Sequence, residues 1–248
     1  MKPIIIIGSG HAGLTLAKEI RAKDNNALVM IITQEKGDMY YKPNLSKALS
    51  MGKSTDALIL KTRDVLESDF NIIILAETQV TGVDTDQQAI TITKNGVDEN
   101  LSYHSLVFAT GASPIDLDLS SNVSDKLVSI NNFEDYQAFI SKLKIKSRIL
   151  IIGAGYVGCE FSSDLSNTGH KVVIVDRSMW PLQRVLPQAL GSQIVDAFPS
   201  DNVSWHFGCG ITRLTETSEG VSAQLSNGKI IEADIVLSAV GLSPNKKL

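Results

Sequence analysis

The chain spells one short device twice. Ile4 to Ile7 run into Gly8-Ser9-Gly10-His11-Ala12-Gly13, and Arg148 to Ile152 run into Gly153-Ala154-Gly155-Tyr156-Val157-Gly158. Each copy opens with an unbroken aliphatic run, read as a strand buried on both faces, and continues through G-x-G-x-x-G into a stretch with helical spacing. In that setting the first glycine allows a tight turn, the second lets backbone approach a pyrophosphate, and the third lets the helix pack closely on the strand. The helix N-terminus adds unpaired N–H groups and a partial positive charge. Two such loops imply two bound dinucleotides, and the chain is long enough for two compact domains.

Around the first loop, Leu14 to Lys23 reads as a helix that stops at Asp24-Asn25-Asn26, and Leu28 to Ile32 as the next strand. Thr33, Gln34 and Glu35 then stand where a dinucleotide fold offers an acidic group to the adenosine ribose hydroxyls. Glu35 is the candidate, although its place past the strand end equally suits a solvated carboxylate. Residues 38–47 form a structured loop entering a helix near Leu45. Strands are expected at Asn71 to Leu75, Gln79 to Val83, Ala89 to Thr93 and Leu106 to Thr110, the last ending in a turn at Thr110 and Gly111 that brings backbone towards a nucleotide.

Residues 112–126, with Pro114 and several serines and aspartates, read as a linker. The second half repeats the first: strand Arg148 to Ile152, helix Tyr156 to Thr168, and strand Lys171 to Val175 with Asp176 at its tip. An acid there bonds the ribose diol of NADH and repels the 2′-phosphate of NADPH, whereas the adjacent Arg177 could accept that phosphate. Ala233 to Gly241 echoes Leu106 to Gly111.

A net charge of −4 without any basic run argues against nucleic acid as a partner. Ile4 to Ile7 is too short for a signal-peptide core or a membrane span, so a cytoplasmic protein is expected. Cys159 and Cys209 are too few for a disulfide framework and lack close spacing. His104, His170 and His206 have no ligand spacing, and no metal site is assigned. The flanking pattern of Ser9 belongs to phosphate binding rather than to a nucleophile.

The ordered segments GSGHAG, YYKPNLSKALS, LVFATGASP, ILIIGAGYVGCE, VVIVD and DIVLSAVGLSPN together resemble the FAD-dependent pyridine nucleotide-disulfide oxidoreductases, and within them most closely the rubredoxin–NAD reductases. The resemblance runs over nearly the whole chain, and KPNLSKALS is its most specific part. It implies two Rossmann-like, three-layer ββα domains, with an NADH domain inserted after the first part of an FAD domain. The expected partition is 1–115 for FAD and 116–248 for NAD(H). Family members continue beyond the point matching Leu248 with the rest of the FAD domain and an interface domain, so the chain is expected to be part of a longer protein.

The resemblance also implies a reaction, in which hydride passes from NADH to FAD and electrons then leave singly for a small iron protein, rubredoxin or ferredoxin. The nicotinamide must stack on the flavin with about 3–3.5 Å between reacting atoms. Dithiol relatives use a cysteine pair, and peroxide and disulfide relatives a single cysteine in the loop that here runs from Tyr40 to Ser46. That loop has no cysteine.

By resemblance Lys42, Pro43 and Lys47 lie near the flavin, where an ammonium stabilises negative charge on the reduced ring. Glu160 lies beside the nicotinamide and pairs with Lys47, and Tyr156 gates the flavin. Val80 touches adenine through its backbone. The plainer alternatives are lysines solvated at a helix start, a tyrosine packed on its helix, a valine in the core and a water-exposed His11. Other readings of the whole are a related NADH:acceptor flavoprotein, a nitrite reductase-associated flavoprotein, and a non-catalytic NAD(H)-binding module.

Overall fold

The computed structural model describes residues 2–117, 119–121, 123, 125–199 and 201–246. Within the linker expected over 112–126, Asp118, Asn122 and Ser124 lie outside the described residues.

Two compact units emerge. The first comprises Met1–Tyr41, Ile59–Ala112 and Pro244–Leu248. Its centre is a four-stranded parallel sheet in the order Ile73–Leu75, Val29–Ile32, Ile4–Ile7, Ser105–Phe108. Successive side chains of a strand point to opposite faces, and both faces are covered here. Ile6 and Ile31 pack with Ala17 of helix His11–Lys23 and Leu66 of helix Arg63–Phe70. Ile5, Ile7 and Ile32 pack the other way, against Val80, Ile90 and Ile92 of an antiparallel sheet formed by Gln79–Asp84, Ala89–Lys94 and Val97–Ser102. Helices, parallel sheet and antiparallel sheet make the three expected layers. The aliphatic run at Ile4 has no polar alternation because neither face meets water, and burying each isoleucine stabilises the unit by about 2 kcal/mol.

The second unit, Lys42–Leu58 with Ser113–Ser243, repeats the scheme. Its parallel sheet runs Leu127–Val128, Ile235–Ser238, Arg148–Ile152, Lys171–Val175, Val203–His206. Leu150, Ile152, Val175 and Val236 meet Leu214, Val221, Ala223 and Ile231 of the antiparallel strands Ile211–Thr217, Gly220–Leu225 and Ile230–Ala233. On the opposite face lie Ile149, Ile151 and Ile174, all fully buried, with helices Phe133–Lys142 and Tyr156–Asn167 joined by an edge-on contact of Phe139 and Phe161. Helix Phe133–Lys142 starts in a capping box, in which Asn132 accepts from the Asp135 amide at 2.7 Å and Asp135 accepts from the Asn132 amide at 3.2 Å.

The partition differs from the expected cut at 115 in two places. Lys42–Leu58 belongs with the second unit, because helix Tyr156–Asn167 holds it: the buried Asp164 carboxylate accepts from the Leu49 and Ser50 amides at 3.2 and 2.7 Å. Pro244–Leu248 belongs with the first, because Asn245 clasps the turn after strand Ser105–Phe108, donating from Nδ2 to the Thr110 carbonyl at 2.8 Å and from its amide to that of Gly111 at 3.1 Å. The helix expected near Leu45 is a 3-10 helix, Lys42–Lys47.

Candidate functional site

The two glycine loops are the same object built twice. Gly8 and Gly153 have φ of +112° and +110°, a region that favours glycine. A Cβ on Gly8 would stand 2.2 Å from the Ala109 carbonyl oxygen, and one on Gly153 2.5 Å from that of Ala239. The third glycines are tighter still: a Cβ on Gly13 would meet the Gly8 oxygen at 2.0 Å, and one on Gly158 the Gly153 oxygen at 1.9 Å. Both are buried contacts of helix against turn.

The middle glycines behave oppositely. Nothing lies within 4 Å of a Cβ on Gly10 or Gly155. Each caps a helix that no side chain caps, and His11 and Ala12 in one loop, and Tyr156 and Val157 in the other, are exposed. The result is an open concavity at a helix N-terminus with orphan amides and the positive end of the helix dipole. That arrangement fits the pyrophosphates of FAD and NADH in both loops, and the helices, of 13 and 12 residues, are long enough to matter.

The second strand of each sheet ends beside its loop, but with different chemistry. In the first unit Thr33 follows the strand, 6% exposed, and its hydroxyl accepts from the Ser9 hydroxyl at 2.9 Å and the Glu35 amide at 3.2 Å. Glu35, two residues on, accepts from the Tyr40 hydroxyl at 2.9 Å, so it is oriented rather than loose. Gln34 is exposed. In the second unit Asp176 takes the place of Thr33. One of its oxygens accepts from the Ala154 amide at 2.5 Å and the other from the Ser178 amide at 2.6 Å. Thr110, Gly111 and Gly241 close the matching turns, the two glycines at φ of +66° and +119°.

Other expected site residues fall into place unevenly. Lys42 and Pro43 are exposed at the start of the 3-10 helix, within the second unit. Val80 is buried core beside Ile5 and Ile7. His11 is exposed, its ring edge-on to Tyr41. Tyr156 is 62% exposed. The expected Lys47–Glu160 ion pair is replaced: Ser46, 4% exposed, donates to Glu160 at 2.6 Å, and Lys47 faces solvent without an ion pair among the described residues. The 3-10 turn sends neighbouring side chains in different directions, and it is Ser46 that points at the helix.

Sequence reading missed that Ser46 bonds Glu160, and the Leu49 and Ser50 amides Asp164, of helix Tyr156–Asn167. The signal was there, since Glu160 and Asp164 are four apart and share one helix face. It read Cys159 as a packing residue, and burial, with Asp176 and Glu160 adding to it, pushes that thiol up to about 11. Burial also raises Cys209. Neither is a thiolate at neutral pH.

The sequence profile of the pyridine nucleotide-disulphide oxidoreductases matches residues 2–248. The chain belongs to that family. Among curated relatives, a rubredoxin-NAD(+) reductase of Acinetobacter baylyi is 35% identical over 99% of this chain and 63% of its own length. A nitric oxide reductase FlRd-NAD(+) reductase of Aeromonas salmonicida is 34% identical over 98% of this chain and 62% of its own. The chain thus spans less than two thirds of these relatives. Among solved structures, the reductase–putidaredoxin covalent complex of putidaredoxin reductase superposes with a TM-score of 0.89 at 25% identity, over 98% of this chain and 59% of that one. Membership in the pyridine nucleotide-disulphide family brings FAD and NADH as cofactors, and the two glycine cradles have the geometry to hold them. No described helix of this family member is long and apolar enough to cross a membrane.

Proposed function

We propose that the chain is the dinucleotide-binding part of an NADH-dependent flavoprotein reductase that feeds electrons to a small iron protein, rubredoxin before ferredoxin. The duplicated cradle in a chain whose two thiols are both held protonated carries this reading. The relatives named above support the acceptor class. A cytoplasmic setting goes with it, as both cysteines are unpaired.

In this reading the first unit holds FAD and the second NADH. Bound FAD supplies the chemistry of accepting a hydride and releasing electrons one at a time. The protein supplies binding and orientation. The orphan amides at residues 11–13 and 156–158 receive the pyrophosphates. Glu35, aimed by Tyr40, and Asp176, at the tip of its strand, serve the two adenosine riboses. Ser46 fixes the Glu160 carboxylate proposed to stand beside the nicotinamide, and Asp164 fixes the segment that carries Lys42, Pro43 and Lys47. The exposed Lys47 ammonium is proposed to favour negative charge on the reduced ring. With Cys159 and Cys209 both held protonated, these residues would offer a bound flavin no thiolate, and outer-sphere release of electrons would be the chemistry left to it.

The test is spectroscopic. The chain reconstituted with FAD is expected to be yellow, to bleach anaerobically with NADH, and to regain colour on adding oxidised rubredoxin. A colourless protein that binds NADH alone would leave the binding-module reading standing. Bleaching by NADH without reoxidation by rubredoxin or ferredoxin would point to the related NADH:acceptor flavoproteins instead.

A further inference from the structure

Helix Tyr156–Asn167 forms the second cradle with its first turn and holds a segment distant in sequence further along. Asp164 stands six residues beyond Gly158, about 9 Å up the helix axis. It is 2% exposed. Its Oδ1 accepts from the Ser50 amide at 2.7 Å and its Oδ2 from the Leu49 amide at 3.2 Å. One turn nearer the cradle, on the same face, Glu160 accepts from Ser46 at 2.6 Å. Both carboxylates thus hold the stretch Lys42–Leu58, which belongs to the same unit. Tyr136 of helix Phe133–Lys142 is fully buried near Asp164: burial, and then the Asp164 charge, push its phenol up to about 12.

No ion pair reaches Asp164 among the described residues. Burying an unpaired charge costs more than burying a neutral side chain of similar size. What the charge supplies is a two-pronged grip. The N–H groups of consecutive residues need two acceptors, and an ionised carboxylate offers both, whereas an asparagine amide offers one and turns a donor towards the other.

That grip sets a register. The 3-10 helix Lys42–Lys47 ends two residues before Leu49, so fixing the Leu49 and Ser50 amides fixes which of its side chains meets Glu160. A 3-10 helix turns about 120° per residue, and a slip of one residue would bring Lys47 to Glu160 in place of Ser46.

We infer that Asp164 is a positioning residue for the proposed reaction, tying the register of Lys42–Leu58 to the helix whose first turn receives the nicotinamide dinucleotide. This rests on the reading that the second cradle binds NADH. A nucleotide bonded to the orphan amides at 156–158 steadies the helix, and its carboxylates pass that order on to Leu49 and Ser50. In this scheme Asp164 meets neither dinucleotide and acts through Glu160 and Lys47.

The test is hydrogen exchange at the Leu49 and Ser50 amides of the full chain with FAD present, measured with and without ADP-ribose, whose binding is followed by calorimetry. In the wild-type chain ADP-ribose is expected to slow both amides about fivefold. In Asp164→Asn it should bind within about threefold of wild type, while the response at both amides falls below about twofold. The same variant should show flavin reduction by NADH slowed about tenfold with the NADH dissociation constant changed less than about threefold. A purely structural role would speed exchange in the variant with and without nucleotide alike and keep the response, and that result overturns the inference. So does a wild-type chain that binds ADP-ribose with unchanged exchange at both amides, an outcome that needs no variant to fold and leaves the NADH reading intact. Failure of ADP-ribose to bind the wild-type chain would remove that reading together with the inference.

Discussion

Single residues here divide into those that shape the cradle and those that touch what it holds. Lys47 belongs to the second kind in the proposed function: Lys47→Ala should slow flavin reduction by NADH about tenfold in stopped-flow while changing the NADH dissociation constant less than threefold. An unchanged rate would discard its role. His170, just before strand Lys171–Val175 and so at the end away from its tip, belongs to neither kind and bears on the fold alone. It is 8% exposed, its Nδ1 has no hydrogen-bond partner, and burial pushes the imidazole below its ordinary 6.5. A group whose folded pKa is depressed stabilises the fold fully above its unfolded pKa and loses that contribution as pH falls. The melting temperature is therefore expected to drop as pH falls from about 7 towards 5, and His170→Gln should flatten the slope. His206, also lowered, leaves a residual slope. A profile equally steep in the variant would show that His170 does not carry it.

At the scale of elements, the glycines of one loop predict opposite outcomes for the same added methyl group. Gly158→Ala puts a carbon 1.9 Å from the Gly153 oxygen and must lift helix Tyr156–Asn167 off its turn, so a loss of several kcal/mol is expected in urea denaturation. Gly155→Ala meets nothing within 4 Å and, as a change of helix cap, should cost no more than about 1 kcal/mol, yet it crowds the space proposed for the pyrophosphate and should weaken NADH binding at least tenfold. A stable Gly158→Ala chain, or a Gly155→Ala chain that binds normally, would contradict the geometry. Elements of this kind were legible in the sequence because their signals are local: an aliphatic run, three glycines and an acid at the next strand tip. Strands Arg148–Ile152 and Lys171–Val175 end where their residues said they would. Helices Arg63–Phe70 and Gln188–Ala197 and the antiparallel strands after Cys209 were not anticipated, since their apolar spacing is short and interrupted by polar residues. Least legible was the allegiance of Lys42–Leu58, because it depends on Ser46–Glu160 and Ser50–Asp164 bonds between residues 114 apart. No local pattern announces a contact of that range. The lysine of KPNLSK suggested an ion pair, and the neighbouring serine makes the bond.

The whole molecule is two units with separate cores, and both tryptophans, Trp180 and Trp205, belong to the second. Tryptophan fluorescence therefore reports one unit and far-ultraviolet circular dichroism both. In urea the two signals are expected to give non-coincident transitions, and ADP-ribose should move the fluorescence transition to higher denaturant. Superimposable curves with and without the nucleotide would mean that the units melt together and that the second does not bind it. A vectorial consequence follows from the clasp on the first unit. Asn245 reaches back to Thr110 across 135 residues, so during translation the early half leaves the ribosome without the piece that shuts its last turn. The inserted half is synthesised in that interval and can complete its own sheet before the turn after strand Ser105–Phe108 is closed.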